Sequence, residues 1–445
     1  VCLERIAARR IQRGDATYLL KTCPAHGTYE TLIWKGAPPF HDWKRPKKPT
    51  GPGVSKETPG RGCPFDCGLC PDHRQRSCTV VMEVTQRCNL RCPVCYADSG
   101  DTDGGDEAIE SLITRIRQIR QKAGDCHIQL SGGEPTVRED LPELVSASRE
   151  AGFSFVQINT NGIRLARKSA YAKTLKAAGL SSVFLQFDGT DDGVHRRLRG
   201  QPLMKEKLAA IAACEGAGIG VVLVSTLVPG VNTNQVGKIL ETGLSHSPTV
   251  RGVHFQPISY FGRFGGEPTE EMRLSLPQLM RQLERQSGGK VKVSHFKPPG
   301  CENPRCSFHA NYVLTAASAL LPLSRGGCCG EPETAETGAK RAISYVARQW
   351  AAPRVTAPAA TEPLGSSSPD GAWRLESFID RAATHTFTIS AMAFMDAWNI
   401  DLERLRDCCI HVASPQGNLI PFCAYNLTAT NGRGLYRTKT PPPGA

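Results

Sequence analysis

Six short runs rich in β-branched residues, TVVMEVT, HIQLS, FVQINT, SVFLQF, VVLVSTL and GVHFQPI, recur between residues 79 and 258, and every gap between them holds a stretch of helical composition. The helical stretches run from Ile109 to Ala123, Leu141 to Ala151, Leu165 to Ala178, Lys205 to Ala217 and Gln235 to Leu244. Strand and helix in alternation predict consecutive right-handed βαβ units on a parallel sheet. The expected fold is therefore α/β, a partial (β/α)6 barrel, and its chemistry belongs on the loops at the C-terminal ends of the strands.

At 445 residues the chain exceeds what one hydrophobic core usually holds. We expect a cysteine-bearing half site and linker over 1–60, a cysteine loop over 61–79, the barrel over 80–260 and a C-terminal extension with further cysteines over 261–350. An Ala, Pro and Ser-rich linker follows over 351–371, and a closing cysteine-bearing segment over 372–445. No apolar run reaches the ~18 residues of a membrane span and no leader pattern opens the chain, so the expected location is cytoplasmic with no transmembrane segment. The chain starts at Val1 rather than Met, so residues are expected to precede it.

Eighteen cysteines in a chain of that kind point to metal rather than disulfides, because the cytosol keeps thiols reduced. A formal charge of +12 invites a nucleic-acid reading. The basic residues are scattered, however, and bound thiolates add negative charge that Lys and Arg balance, so no nucleic-acid partner is expected.

The spacing C-x3-C-x2-C occurs twice, at Cys63, Cys67 and Cys70 and again at Cys88, Cys92 and Cys95. The second copy follows the first strand directly, at its C-terminal end. Three thiolates on a [4Fe-4S] cluster leave one iron open for a small chelating ligand. The first copy follows a loop and has a fourth thiol nearby, Cys78, so these four are expected to close an auxiliary [4Fe-4S] cluster, or else to bind zinc. Near the N-terminus, Cys2 and the CPAH stretch from Cys23 to His26 look like half of a zinc-ribbon or rubredoxin-like site for a mononuclear Zn or Fe, whose missing partner belongs two residues before Cys2. Towards the other end, four of Cys301, Cys306, Cys408, Cys409 and Cys423 are expected to form a second auxiliary cluster. Cys126 and Cys214 read as core residues, and Cys328 and Cys329 as thiols with or without a ligand role.

With CNLRCPVC on the first strand end, SGGEP on the second, INTNG on the third, LQFDG on the fourth, VSTLVPGVN on the fifth and HFQPIS on the sixth, the sequence resembles the radical S-adenosylmethionine (SAM) superfamily. The resemblance implies that Cys88, Cys92 and Cys95 hold the cluster whose open iron chelates SAM. It also implies that Gly132, Gly133, Glu134 and Pro135 edge the methionyl group, and that Asn159, Asn161, Asp188, Ser225 and Gln256 lie around the rest of SAM. The implied activity is reductive cleavage of SAM to a 5′-deoxyadenosyl radical that attacks an unactivated C–H bond, with reduced ferredoxin or flavodoxin as electron donor.

Within the superfamily, CPAHG, CPFDCGLC, FQPISYFGR and the closing CCIHV and PFCAYN resemble a branch that contains a 7,8-dihydro-6-hydroxymethylpterin methyltransferase and a tetraether lipid synthase. That resemblance implies C-methylation of a pterin-type small molecule, with the methyl group supplied by a methylene-folate-type carrier. Coupling of lipid tails and modification of a peptide are the alternatives. A lipid-tail enzyme needs a long apolar tunnel, and a mean hydropathy of −0.29 with 7% aromatic residues shows no apolar excess, which favours the small polar substrate.

Overall fold

A computed structural model describes residues 2–51, 60–68, 72–100, 105–315, 318–323, 333–353 and 375–437. Cys70, Cys328, Cys329 and most of the expected linker lie outside the described residues. The N-terminal piece is a three-stranded antiparallel sheet of β1 (Ala8–Arg13), β2 (Ala16–Cys23) and β3 (Gly27–Lys35). The six expected barrel strands follow as β4 (Thr79–Thr85), β5 (His127–Gly132), β6 (Val156–Thr160), β7 (Ser182–Gln186), β8 (Gly220–Leu227) and β9 (Val250–Pro257), all mutually parallel and adjacent in chain order. Five more strands complete the chain: β10 (Ser307–Leu314), β11 (Leu320–Pro322), β12 (Thr386–Met392), β13 (Ile410–Ala413) and β14 (Leu419–Pro421).

The C-terminal strands extend the sheet at both edges. β12 pairs in parallel with β9, and β13 pairs in parallel with β4, so the large sheet runs β11-β10-β12-β9-β8-β7-β6-β5-β4-β13-β14. The closing segment is thus woven into both rims of the barrel.

Along each barrel strand the side chains alternate in character. Ile128 and Leu130, Val156 and Ile158, Val183 and Leu185, Val253 and Phe255, and Phe387 and Ile389 all join the main core beneath the outer helices, and none exceeds 1% exposure. Their neighbours in sequence, Gln129 and Ser131, Gln157 and Asn159, Phe184 and Gln186, His254 and Gln256, and Thr388 and Ser390, face a cavity of about 530 Å³ inside the barrel. A period of two places them there, because successive Cβ atoms point to opposite faces of a strand. Small parallel barrels usually fill this space with branched apolar residues; here it is a chamber with a polar wall.

The outer layer holds the expected helices with two differences. The helix expected over 165–178 is split at Lys168 into Ile163–Arg167 and Ser169–Ala177. An additional short helix, Asp192–Arg199, precedes Met204–Ala217; Asp191 caps it by accepting from the Val194 N–H, and Gly200 ends it in the left-handed region. Cys126 and Cys214 pack in the core. No described helix is long and apolar enough to cross a membrane.

Burial pushes three histidines of the chamber wall, His127, His254 and His309, down to about 4, so they are neutral in the folded protein at pH 7. Between their ordinary value near 6.5 and about 4 the unfolded chain binds these protons and the folded chain does not. Stability should therefore be fully present above pH ~6.5 and fall as pH drops through that window. Urea midpoints between pH 7.5 and 5 check this, and a midpoint that rises on acidification contradicts it.

Candidate active site

The second cysteine copy occupies the loop after β4, and the ends of the neighbouring strands hold that loop in place. Gly133 N–H donates to Thr85 O at 2.8 Å and Glu134 N–H to Arg87 O at 2.9 Å, which draws the end of β5 against the start of the cysteine loop. A Cβ on Gly132 would lie 2.1 Å from Thr85 O, and one on Gly133 would lie 2.2 Å from Arg87 O. The two glycines permit this close backbone approach. Gly132, at φ +126°, also needs a conformation that side-chain-bearing residues rarely adopt.

Glu134 is 1% exposed, and its carboxylate is fully engaged by protein donors. Oε1 accepts from Thr136 N (3.0 Å), Thr136 Oγ1 (2.6 Å) and Thr160 Oγ1 (2.7 Å), while Oε2 accepts from Asn161 N (2.7 Å). Burial raises its pKa despite these donors. Glu134 therefore clips β5 to β6, and buried Pro135 opens the 3-10 turn Pro135–Val137 behind it. Asn161 extends the clip to the cysteines, since its Nδ2 donates to Asn89 Oδ1 at 2.7 Å, one residue past Cys88. Buried Lys207 donates to Asn161 O at 2.6 Å, and burial lowers its ammonium to about 8.

Asp188 and Ser225 face away from the chamber. Asp188, fully buried, holds Arg199 in a bidentate pair at 2.6 and 2.8 Å. Burial opposes ionisation of Asp188, but the guanidinium outweighs it and keeps the carboxyl below its ordinary value. The pair aims Arg199 at the cysteine loop, where it donates to Val94 O at 3.3 Å and lies beside the Cys92 thiol. Ser225 donates to Phe187 O, whereas its neighbour Thr226 lines the chamber. The expectation for Ser225 is corrected by one position, because adjacent residues of β8 point to opposite faces.

Asn159 and Gln256 line the chamber. Asn159 Nδ2 donates to Ser131 Oγ at 3.2 Å, and its buried Oδ1 has no partner among the described residues. Tyr96 Oη lies 2.9 Å from the same Ser131 Oγ. From across the barrel, Arg263 Nε donates to Cys92 O at 2.7 Å, and Arg263 exchanges backbone hydrogen bonds with Cys95 at 2.9 and 3.0 Å. Arg199, Tyr96 and Arg263 were not singled out by sequence reasoning; only the N-cap Asp191 and the terminal Gly200 around the short helix signalled the first of them.

The thiols divide into separate groups. Among the described residues, metal-ligating atoms within 4.8 Å of one another form two sets, Cys2, Cys23 and His26, and Cys78, Cys301 and Cys409. Cys88, Cys92 and Cys95 belong to neither, so they sit farther apart than one ion bridges, a spacing suited to a cluster with several irons. Burial pushes the Cys88 thiol up to about 12, a cost that a bound cation reverses by holding the thiolate.

Cys78 is therefore not gathered with the first cysteine copy. β4 begins at Thr79 and pairs with β13, so Cys78 N–H donates to Cys409 O at 2.7 Å and the thiol meets those of Cys409 and Cys301. Cys63 and Cys67 lie instead in an apolar cluster with Cys423, with Tyr436 Oη accepting from Cys67 N–H at 2.8 Å. The five C-terminal cysteines also split. Cys301 and Cys409 join Cys78, while Arg404 Nε donates to Cys306 Sγ at 3.3 Å and Cys408 lies near Cys306 and Cys423. At the N-terminus, Cys2 Sγ is 3.9 Å from Cys23 Sγ, and His26 Nδ1 is 3.4 Å from Cys23 Sγ, which adds a third donor.

The profile of the radical SAM superfamily matches residues 82–243, and that of the HMPTM N-terminal zinc ribbon domain matches residues 1–35. A 7,8-dihydro-6-hydroxymethylpterin dimethyltransferase from Methanocaldococcus jannaschii is 32% identical over 96% of this chain and 92% of its own length. The chain belongs to the radical SAM superfamily, in the branch of that methyltransferase. A probable GTP 3′,8-cyclase of Archaeoglobus fulgidus is 34% identical over 36% of this chain and 52% of its own. Among solved structures, Streptococcus suis SuiB bound to precursor peptide SuiA aligns with a TM-score of 0.40 and 15% identity over 48% of this chain and 46% of that one.

This radical SAM enzyme requires a [4Fe-4S] cluster and SAM, which together supply the radical chemistry. Its own residues hold the loop that carries Cys88, Cys92 and Cys95, and they line the space below it. Replacing Asp188 by Ala leaves the buried Arg199 charge uncompensated and should destabilise the protein by about 3–5 kcal/mol. A guanidinium chloride midpoint unchanged from the parent enzyme contradicts this role.

Proposed function

We propose that this radical SAM enzyme methylates a pterin-type small molecule at an unactivated carbon. The observation that supports the reading is the polar wall of the chamber. Gln129 Nε2 donates to Gln157 Oε1 at 2.8 Å, and Gln157 Nε2 donates to Ser182 Oγ at 3.2 Å. Asn159 Oδ1 and Trp350 Nε1, both lining the chamber, are an acceptor and a donor without protein partners among the described residues. Phe184 stands against His254 and Trp350 with ring centroids at 5.5 and 5.2 Å and interplanar angles of 36° and 35°.

Amides, an open donor and acceptor, and a flat aromatic wall complement a planar heterocycle with an amide edge. A lipid tail in this space would leave Asn159 Oδ1 and Trp350 Nε1 unpaired at a cost of about 1–3 kcal/mol each. Burial keeps the chamber histidines neutral, which also suits an uncharged ring. The proposed ligands of the SAM-binding cluster are Cys88, Cys92 and Cys95. Gly133, Asn159, Thr226 and Gln256, which line the chamber beside the cysteine loop, would hold SAM, and a ferredoxin or flavodoxin would supply the electron.

The test is anaerobic turnover with reduced 6-hydroxymethylpterin, SAM, a low-potential reductant and a methylene-folate carrier. The expected result is pterin-stimulated 5′-deoxyadenosine formation and a product heavier by one or two methyl groups. SAM cleavage that ignores the pterin, with the pterin unchanged in mass, overturns the reading. Gln157→Leu should weaken pterin binding about tenfold, the loss of one well-made hydrogen-bonding contact, while SAM cleavage without substrate is unchanged. Cys88→Ala should abolish SAM cleavage.

A further inference from the structure

We propose that the exposed face of the helix Asp192–Arg199, together with Arg91 of the cysteine loop and Lys205, is the docking surface for an acidic electron-carrier protein. Each reductive cleavage of SAM consumes one electron from outside the chain. That a carrier protein brings it rests on the reading above; the surface adds where that carrier sits.

The cysteine loop reaches the surface on this side. Cys88 and Cys95 are half-buried, and Arg91, between Cys88 and Cys92, is exposed. Leu90 turns inward to pack with Cys92, Ile163 and Leu203, while its neighbour Arg91 stays outside. The helix Asp192–Arg199 is fixed beside the loop by Arg199, whose Nη1 donates to Val94 O. Gly200 ends that helix against Arg91, since a Cβ there would lie 4.0 Å from Arg91 O. Arg196 is one turn, about 5.4 Å, before Gly200, and its carbonyl accepts from Gly200 N–H at 3.0 Å. Val194, His195, Leu198 and Arg199 form the buried face of the helix, which leaves Arg196 and Arg197 exposed. Lys205, two residues past Leu203, is exposed as well.

Charge pairing separates this side from the rest of the loop's surroundings. Arg87 pairs with Asp106, Arg263 with Asp98 and Arg164 with Glu139, so those cations are already neutralised within the protein. Arg91, Arg196, Arg197 and Lys205 have no carboxylate partner among the described residues. The aspartates at the start of the helix are occupied by backbone donors. Asp191 accepts from Val194 N at 3.1 Å, and Asp192 accepts from Leu203 N and Met204 N at 2.9 Å each. The side on which α-helix and loop meet therefore presents free positive charge beside the thiols that take up the electron.

Free cations around a site steer a partner of opposite charge and act on the rate of encounter more than on the final affinity. The carrier is accordingly acidic. In the docked complex it loses one electron, the cluster held by the loop gains it, and no bond forms or breaks until that electron passes on to the C–S bond of SAM.

The test uses the full-length, anaerobically reconstituted enzyme and an acidic flavodoxin, without pterin. Two quantities are read: flavodoxin binding, and the rate of cluster reduction by flavodoxin or by dithionite, a small reductant that needs no docking. Arg196→Glu combined with Arg197→Glu should weaken flavodoxin binding and slow flavodoxin-driven reduction about tenfold at low salt. Dithionite-driven reduction should change by less than about twofold. The flavodoxin deficit should shrink towards 1 M salt, where the Debye length falls to about 3 Å from about 10 Å at 0.1 M. Arg9→Glu combined with Lys290→Glu makes an equal change of charge on β1 and beyond the helix Leu276–Gln286, and should behave as the parent. Parent-like flavodoxin binding in the first pair, an equal loss with dithionite, or the same loss in the distant pair overturns the assignment. Should the first pair fail to fold, Arg196→Gln combined with Lys205→Gln decides it by the same comparison. A parent enzyme reduced by dithionite and by neither flavodoxin nor ferredoxin removes the carrier, and this surface with it. A pterin that gains no methyl group leaves the surface standing, so the two proposals fail separately.

Discussion

The two-sided character of the barrel strands is the constraint on which the rest of the protein depends. Each of β5, β6, β7 and β9 shows Val, Ile, Leu or Phe to the outer helices and Gln, Ser, Asn or His to the lumen. The outer face supplies the stability, with each fully buried aliphatic side chain worth about 1.5–3 kcal/mol. The inner face cannot pack into a dry core, because amide and imidazole groups must find hydrogen-bond partners. One periodicity therefore provides both the wall of the fold and the space for a polar guest.

The strand ends convert that wall into a site. Above the lumen, the Glu134 backbone and the Asn161, Arg199 and Arg263 side chains grip the cysteine loop, so thiols on an irregular segment are held from the neighbouring strand ends and from the helix Asp192–Arg199. The two arginine grips are charge-assisted hydrogen bonds, where geometry is enforced strongly because an unpaired partner is costly. Below the lumen, the same strand that leads to Cys88 begins just after Cys78. A single parallel strand thus has a thiol group at each end, and the closing segment of the chain, through β12 and β13, seals both rims.

Much of this was legible residue by residue. The six strands were visible because parallel strands are short, β-rich and spaced by helices, and the triad at Cys88, Cys92 and Cys95 stood out because it directly follows a strand. The helix Asp192–Arg199 was obscured by its composition: DGVHRRLR has only Val194 and Leu198 as apolar residues, and its clearest signals are the caps at Asp191 and Gly200. Arg199, which the site uses, sits on that helix. Ser225 and Thr226 are adjacent and chemically alike, and only the pleat of β8 decides which one meets the chamber.

Sequence by itself determined the fold class and the radical SAM membership, since the first rests on local periodicity and the second on short motifs at successive strand ends. Tertiary structure alone decided which distant thiols are neighbours. Cys78 is eight residues from Cys70 and more than 200 from Cys301 and Cys409, and proximity along the chain favoured the former. The register of β4 against β13 overrode it, because strand pairing fixes positions across the sheet whatever the length of chain between them. The partial barrel likewise gathered the alternate polar residues of separate strands into one chamber, a property that no single strand possesses.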